Sequence, residues 1–451
     1  MSVLRILGKY IHDMSYDDLS PAAIECAQIR LLDYLGTAFH ASGAGPWKPL
    51  IKVFQENSGK EECTVIGEEL KLPCAQAAMV NTYPHMSEGA RVAGGHCAWI
   101  AMPAALAAAE RRAATAPVSG KDLILAIVLA YEVMLRIGEA IYPAVHEKGF
   151  QVTTVRGPVG AAVAAAKLFG FDEDTTVSAM SIAASMGAGL EAATTPWQFY
   201  CFQIGRASES GMLAALAAEA GIKGNETILE EGYLKAFGNG AKPENITANL
   251  NGHSSIENTY LKVHFGCRHA HPAIDACLDV MKEHKLSWQD IENIKITSYP
   301  TALVFCHSEG ARSVSEIFYD MKALVALGIV HGSEAMRFFR DDVISSEPLQ
   351  EISKRITLGS DPELEKDFPR TSPAIAEITV KDGRTFTHRR DLARGEPEDP
   401  LDQAEIVKKF HYLTYRALDD ETRGALLRFI DGLPGQDSLA DLFALMSSNH
   451  K

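Results

Sequence analysis

The sequence predicts a mainly α protein. A large all-helical bundle is formed by both chain ends, residues 1–265 and 400–451, and a smaller α+β domain, residues 266–399, is inserted between them. Three observations predict this. Before about residue 260 apolar residues recur at helical spacing, and several runs are rich in alanine. After about residue 266 the texture changes to short runs in which apolar and polar residues alternate, the period of a half-buried strand. Beyond a Pro-rich boundary, RGEPEDPLD (Arg394–Asp402), helical spacing returns in AEIVKKFHYL and TRGALLRFIDGL.

The elements follow in order. Ser20-Pro21 caps and opens a helix through SPAAIECAQIRLLDYLGTAFHASG, with Gly43 beyond its end. Ala101 to Ala109 is Ala-rich and helical. Ser119 precedes GKDLILAIVLAYEVMLRIGEAIY, a long helix ended by Pro143. Gly157-Pro158 is expected to open a helix through GAAVAAAKLF (Gly160–Phe169). Trp197, Tyr200, Gln203 and Arg206 are expected just ahead of another, containing MLAALAAEA (Met212–Ala220). Small residues on many of these helices let their axes approach closely.

In the insert, IENIKITSY (Ile291–Tyr299) reads as a strand, and AIAEITVKDGRTFTHRRDL (Ala374–Leu392) as a hairpin turning at Lys381-Asp382-Gly383. Helical stretches are expected at Val314 to Val330, Ser333 to Arg340 and Pro348 to Lys354.

At 451 residues the chain is long enough to bury a large core. Its net charge of −15 argues against nucleic acid or an anionic membrane as partner. An acidic substrate therefore needs cations gathered locally, against the global field. The eight cysteines are scattered with no CxxC pair, which suits a reducing compartment. The N-terminus lacks a signal or transit layout, and no uncharged run of about 18 apolar residues occurs. A cytoplasmic protein is the expectation.

Four stretches carry chemistry. LKVHFGCRHAHPAIDA (Leu261–Ala276) holds His264, Cys267, His269 and His271. Zinc accepts these ligand types, but the spacing matches no closed site. As an anion site, the stretch has Lys262, Arg268, His269 and His271 around the start of a helix opened by His271-Pro272, whose N–H groups attract carboxylate. Ordinary packing at a domain junction is the third possibility.

The second stretch, Asn81 to Glu110, carries His85, Glu88, Arg91 and His96 on a polar, Gly-rich loop between apolar helices. The third, His146 to Gly170, places Gln151, Thr153, Thr154 and Arg156 beside a helix start. The fourth, Thr194 to Gly221, offers Trp197, Tyr200, Gln203 and Arg206. The second stretch also reads as a solvated connection, and the last two as capping and packing.

Together these stretches resemble the MmgE/PrpD family, which includes 2-methylcitrate dehydratase, cis-aconitate decarboxylase and iminodisuccinate epimerase. LLDYLGTAFHASG, MPAALAAAE, GPVGAAVAAAKLFGF, IGRASESGMLAALAAEAGIKG, LKVHFGCRHAHPAIDA and ITVKDGRTFTHRRDLARGEPEDPLD carry the likeness. The resemblance implies an α+β lid on the helical domain, a homodimer, no cofactor, and an inter-domain site for a small polycarboxylate.

Residue by residue, Lys262, His271, His96 and Arg91 match family positions, and the candidate bases and acids are His96, Lys262 and Tyr200. Glu88, Arg91, Gln151, Arg156, Gln203, Arg268, His269, His271 and Lys322 are the candidate substrate contacts. The departures are specific. The acidic cluster of the family's first loop is reduced to Glu88, and the proline after the loop histidine is Cys97. Gln151 replaces a histidine and Tyr200 a lysine, and Tyr319 or Lys322 stands where a tyrosine is common.

Family reactions share one demand, moving a proton at a carbon next to a carboxylate or imine-like group. Fixed cations must offset the developing charge, and a base must lie within reach. Arginine suits the first task because it grips carboxylate with two prongs. Three readings follow. One is a cofactor-free lyase or isomerase with an altered site, either an epimerase or a dehydratase or decarboxylase for a changed substrate. The second is a non-catalytic paralogue that binds a small acid. The third is a metal-dependent enzyme using residues 264–271.

Overall fold

This computed structural model describes residues 1–42, 47–57, 59–83, 88–194, 197–250, 254–307 and 310–447. His85 lies outside them. The fold is mainly α with small sheets, and the chain divides into two compact units, Met1–Thr259 with Leu413–Lys451, and Tyr260–Tyr412. Among the described residues no helix is long and apolar enough to cross a membrane.

The first unit is built around the helix Val152–Phe169, which is buried on almost every side. Packed against it are helices Ala98–Ala113, Gly120–Ile141, Glu173–Ser185 and Trp197–Glu219. Small residues make this possible. A Cβ added to Gly160 would come within 2.2 Å of Met134 Cγ. The Gly120–Ile141 helix opens as its sequence predicts. Ser119 caps it, the Asp122 carboxylate accepts the Ser119 N–H at 2.8 Å, and Tyr142 ends it. Ser119→Ala should cost about 1 kcal/mol in urea unfolding; no loss would show that the exposed box adds nothing.

Two helix starts differ from expectation. The central helix begins at Val152, not at Gly157-Pro158, and Pro158 sits inside it. Gln151 caps it, its Oε1 accepting the Thr154 N–H at 3.1 Å. The polar first turn is fully buried, so tertiary contacts outweigh the preference of proline for a helix start. The fourth stretch is likewise helical from Trp197 onward. Gly205 lies inside this helix. A Cβ at that position would lie 2.7 Å from Trp47 Cη2, so the glycine makes room for an indole. Helices Val3–Asp13 and Glu173–Ser185, which pack together, were not singled out in the sequence.

The second unit holds a four-stranded sheet in the order Ile356–Ser360, Ile291–Ser298, Ala374–Val380, Thr385–Arg390. The last two strands form the predicted hairpin, with Gly383 at φ +90° in its turn. Strand 356–360 was not anticipated; it pairs parallel to 291–298 after a crossover. Helix His271–His284 lies against the hairpin strands. The helix expected over Val314 to Val330 is two, Val314–Ile317 and Met321–His331. Asp320 breaks it, one carboxylate oxygen capping Ala323 N–H at 3.0 Å and the other accepting from Gly310 and Ala311. Residues Gly332–Phe338 form 3-10 turns rather than an α-helix.

Candidate active site

In the helical unit the site residues gather on the loop that leads into helix 98–113. The start of that helix exposes N–H groups that need an acceptor. Glu88 supplies it, with Oε1 accepting the N–H of Cys97 at 2.7 Å and of Ala98 at 2.5 Å, and the Tyr131 hydroxyl at 3.3 Å. The carboxylate is fully buried, and Oε2 has no partner among the described residues. Burial pushes its pKa up, while the Ala98 and Cys97 N–H groups and then Arg30 and Arg156 pull it back.

The same residue sets His96. Its Nδ1 lies 2.6 Å from the Glu88 carbonyl oxygen. A carbonyl only accepts, so Nδ1 carries the hydrogen, and the lone pair of the neutral ring is on Nε2. The His96 N–H donates to Thr153 Oγ1 at 3.1 Å, and the ring stacks on Trp99 at 3.5 Å. His96 is half-buried. Trp99 in turn meets the edge of Tyr200 at 6.1 Å, and the Tyr200 hydroxyl accepts from Gln151 Nε2 at 3.1 Å. His96, Tyr200 and Gln151 therefore form one contiguous group, joined through Trp99.

Arg156 is engaged differently from its expected role. It is fully buried, donating to the Ala93 carbonyl at 2.8 Å and the Gly94 carbonyl at 2.6 Å. It pins the loop through Nη1 and Nη2, while its buried Nε has no partner among the described residues. Gly138 gives it room, since a Cβ there would lie 1.8 Å from Arg156 Nη1. Gly138→Ala should destabilise the chain by roughly 1–3 kcal/mol in urea unfolding; an unchanged midpoint would show that the guanidinium can move aside. Gln203 donates to the Leu190 carbonyl at 3.2 Å, and Arg91 is half-buried on the loop.

The second unit gathers the other candidates around the start of helix 271–284. Arg268 is paired with Glu396, through Nε at 2.8 Å and through Nη2, and its guanidinium lies 4.8 Å over the Tyr260 ring. His264 Nε2 lies 2.7 Å from Asp275 Oδ1, and Asp275 Oδ2 accepts the Arg394 N–H at 2.8 Å. His269 bonds to the Tyr299 hydroxyl and stacks on Phe305. The Lys262 ammonium is buried, donates to the Gly266 carbonyl at 3.2 Å and lies 5.6 Å over Phe318. Lys322 is half-buried in the first turn of helix 321–331.

His264 and His269 thus turn to separate partners. Among the described residues no three His, Cys, Asp or Glu side chains are grouped to hold a metal ion.

His271 is buried at the helix start, 5.4 Å from the His264 ring. Burial first, then His264, Lys262 and Arg268, hold its pKa well below the ordinary 6.5. The sign follows. The unfolded chain takes up a proton near pH 6.5 that the folded chain refuses, so this group's stabilising contribution is lost as pH falls below that value. Urea unfolding at falling pH should show the decline, and His271→Gln should flatten part of it; an unaltered slope would show that His271 is protonated in the folded chain.

Sequence reasoning missed several partners. Trp99 follows His96 by three residues, a cue that was available. Glu396 sits in a Pro-rich stretch that reads as a boundary, and nothing local pairs it with Arg268.

Residues 5–246 match the MmgE/PrpD N-terminal domain, and residues 264–430 the MmgE/PrpD C-terminal domain. The chain belongs to the MmgE/PrpD family. Among its relatives, the cis-aconitate decarboxylase of Aspergillus terreus is 26% identical, over 96% of this chain and 93% of that protein. The cis-aconitate decarboxylase of Mus musculus is 26% identical over 99% and 93%. That of Homo sapiens is 24% identical over 99% and 94%. This MmgE/PrpD chain thus runs nearly the full length of relatives from which it has diverged widely.

Proposed function

We propose that this protein is a cofactor-free cytoplasmic enzyme, working as a homodimer, that moves a proton at a carbon next to a carboxylate of a small polycarboxylate. It is a lyase of the decarboxylase or dehydratase type, or an isomerase. The observation that carries the reading is the fixed tautomer of His96. The Glu88 carbonyl holds hydrogen on Nδ1 and leaves Nε2 as the basic nitrogen of a ring clamped on Trp99. The cis-aconitate decarboxylase relatives supply the substrate class. Loss of carbon dioxide or water from such an acid leaves charge beside a carboxylate, which nearby cations offset.

In this reading His96 takes and returns the proton, with Tyr200, set by Gln151, as the second proton-transfer group. Lys262 and His271 bind carboxylate at the start of helix 271–284. Arg91, Gln203, His269 and Lys322 complete the substrate contacts. Glu88, Arg156 and Arg268 hold the frame, as their hydrogen bonds suggest.

The test is a panel of di- and tricarboxylates, including cis-aconitate, 2-methylcitrate and iminodisuccinate. Each is followed by NMR for C–H exchange into heavy water and for release of carbon dioxide or water. At least one should react. Binding without exchange would favour a non-catalytic paralogue, and neither binding nor exchange would end the reading. Lys262→Met keeps the stem and removes the charge. It should lower kcat/KM by about a hundredfold; retained activity would remove Lys262 from the mechanism.

A further inference from the structure

Helix Trp197–Glu219 buries more than half of its residues, yet it leaves a stripe of large apolar side chains exposed. Phe199, Phe202 and Leu213 are 51%, 42% and 48% exposed, large values for such side chains. With Arg206, Glu209 and Leu216 they occupy positions spaced three, four, three, four and three residues apart. That is the spacing of a seam between two helices. Its middle is polar, an Arg206–Glu209 ion pair, and both ends are apolar.

The stripe is self-complementary when reversed. Turned about a point midway between Ala207 and Ser208, Phe199 falls opposite Leu216, Phe202 opposite Leu213, and Arg206 opposite Glu209. An antiparallel copy therefore meets apolar ends with apolar ends and each mid-seam charge with its opposite. A parallel copy would set arginine against arginine. Helix Lys48–Asn57 also carries Leu50, Ile51, Val53 and Phe54 and buries no residue. It starts next to Trp47, which packs on Gly205 of the seam helix.

We infer that this stripe is an isologous interface, on which a second copy of the chain packs its own 197–219 helix antiparallel, exchanging Arg206–Glu209 ion pairs across a two-fold axis. The inference rests on the paired state taken in the proposed function, and adds the surface and its geometry. The inner face of the same helix carries Tyr200 and Gln203, so pairing braces the helix that presents them.

The test uses the full chain in sedimentation velocity. The wild type should be a dimer. R206E gives a seam with two acidic centres and E209R one with two basic centres. Each alone should raise the dimer Kd roughly a hundredfold, since like charges then face each other. Mixed together, the two variants should form a heterodimer of near wild-type affinity. Neither mixed chain regains its internal ion pair, so recovery reads contact between copies and not repair of the helix. A wild-type monomer would overturn both the interface and the paired state. A dimer indifferent to both substitutions, or variants that fail to recombine, would overturn this interface and leave a dimer built elsewhere.

Discussion

His96→Ala should lower turnover about a thousandfold, roughly 4 kcal/mol at the transition state, with the fold intact. The size follows from the role. A proton on carbon next to a carboxylate leaves slowly unless a base is held in place, and His96 is held on three sides. The Glu88 carbonyl fixes its hydrogen, Trp99 fixes its plane, and Thr153 fixes its backbone. Alanine keeps the backbone contact and removes the base.

The expected signature is a fall in kcat with little change in KM, because the ring is assigned to proton transfer and not to carboxylate binding. Exchange of substrate C–H into heavy water should fall by the same factor. Urea unfolding of the variant checks that the fold survives. An unchanged exchange rate would return His96 to a packing role against Trp99 and pass the proton transfer to Tyr200 or Lys262.

What the sequence showed, and where it failed, has a physical pattern. Strong local rules were legible. Ser119 marks a helix start, and Lys381-Asp382-Gly383 marks a hairpin, because their hydrogen bonds close within a few residues. Boundaries set by distant contacts were not. Pro158 read as a helix start, and Trp197 to Arg206 as lying ahead of one, yet both stretches lie inside helices. Asp320 splits a run that looked continuous, by accepting N–H groups from either side of the break.

The candidate site behaved in the same way. Polar residues on an apolar background drew notice to His96, Tyr200, Gln151 and Lys262. Their partners are set by the fold, so their directions were illegible. Glu88 looked like a substrate contact and is a buried helix cap; Arg156 looked like a carboxylate clamp and is a loop pin. The Arg156 guanidinium is already hydrogen-bonded through both Nη atoms, which leaves fewer free cations for substrate than residue counting suggests.

Arg268→Ala should destabilise the 260–412 unit by about 3–5 kcal/mol, among the largest single-residue losses expected in it. Both partners are buried, their side chains 9% and 1% exposed, so solvent screens little of the interaction. Removing the guanidinium strands the Glu396 carboxylate in that interior. The damage should also spread along the chain. Glu396 ends a segment whose Gly395 carbonyl accepts the Leu261 N–H at 2.9 Å, and whose Arg394 N–H holds Asp275, the partner of His264. Hydrogen exchange of the amides in strand 291–298 reads the stability of this unit directly. Replacing both partners together, R268M with E396L, should cost far less than the sum of the single changes, because no charge is left unpaired. Single losses under about 1 kcal/mol would show that water reaches the pair, and that Arg268 is free to serve a substrate after all.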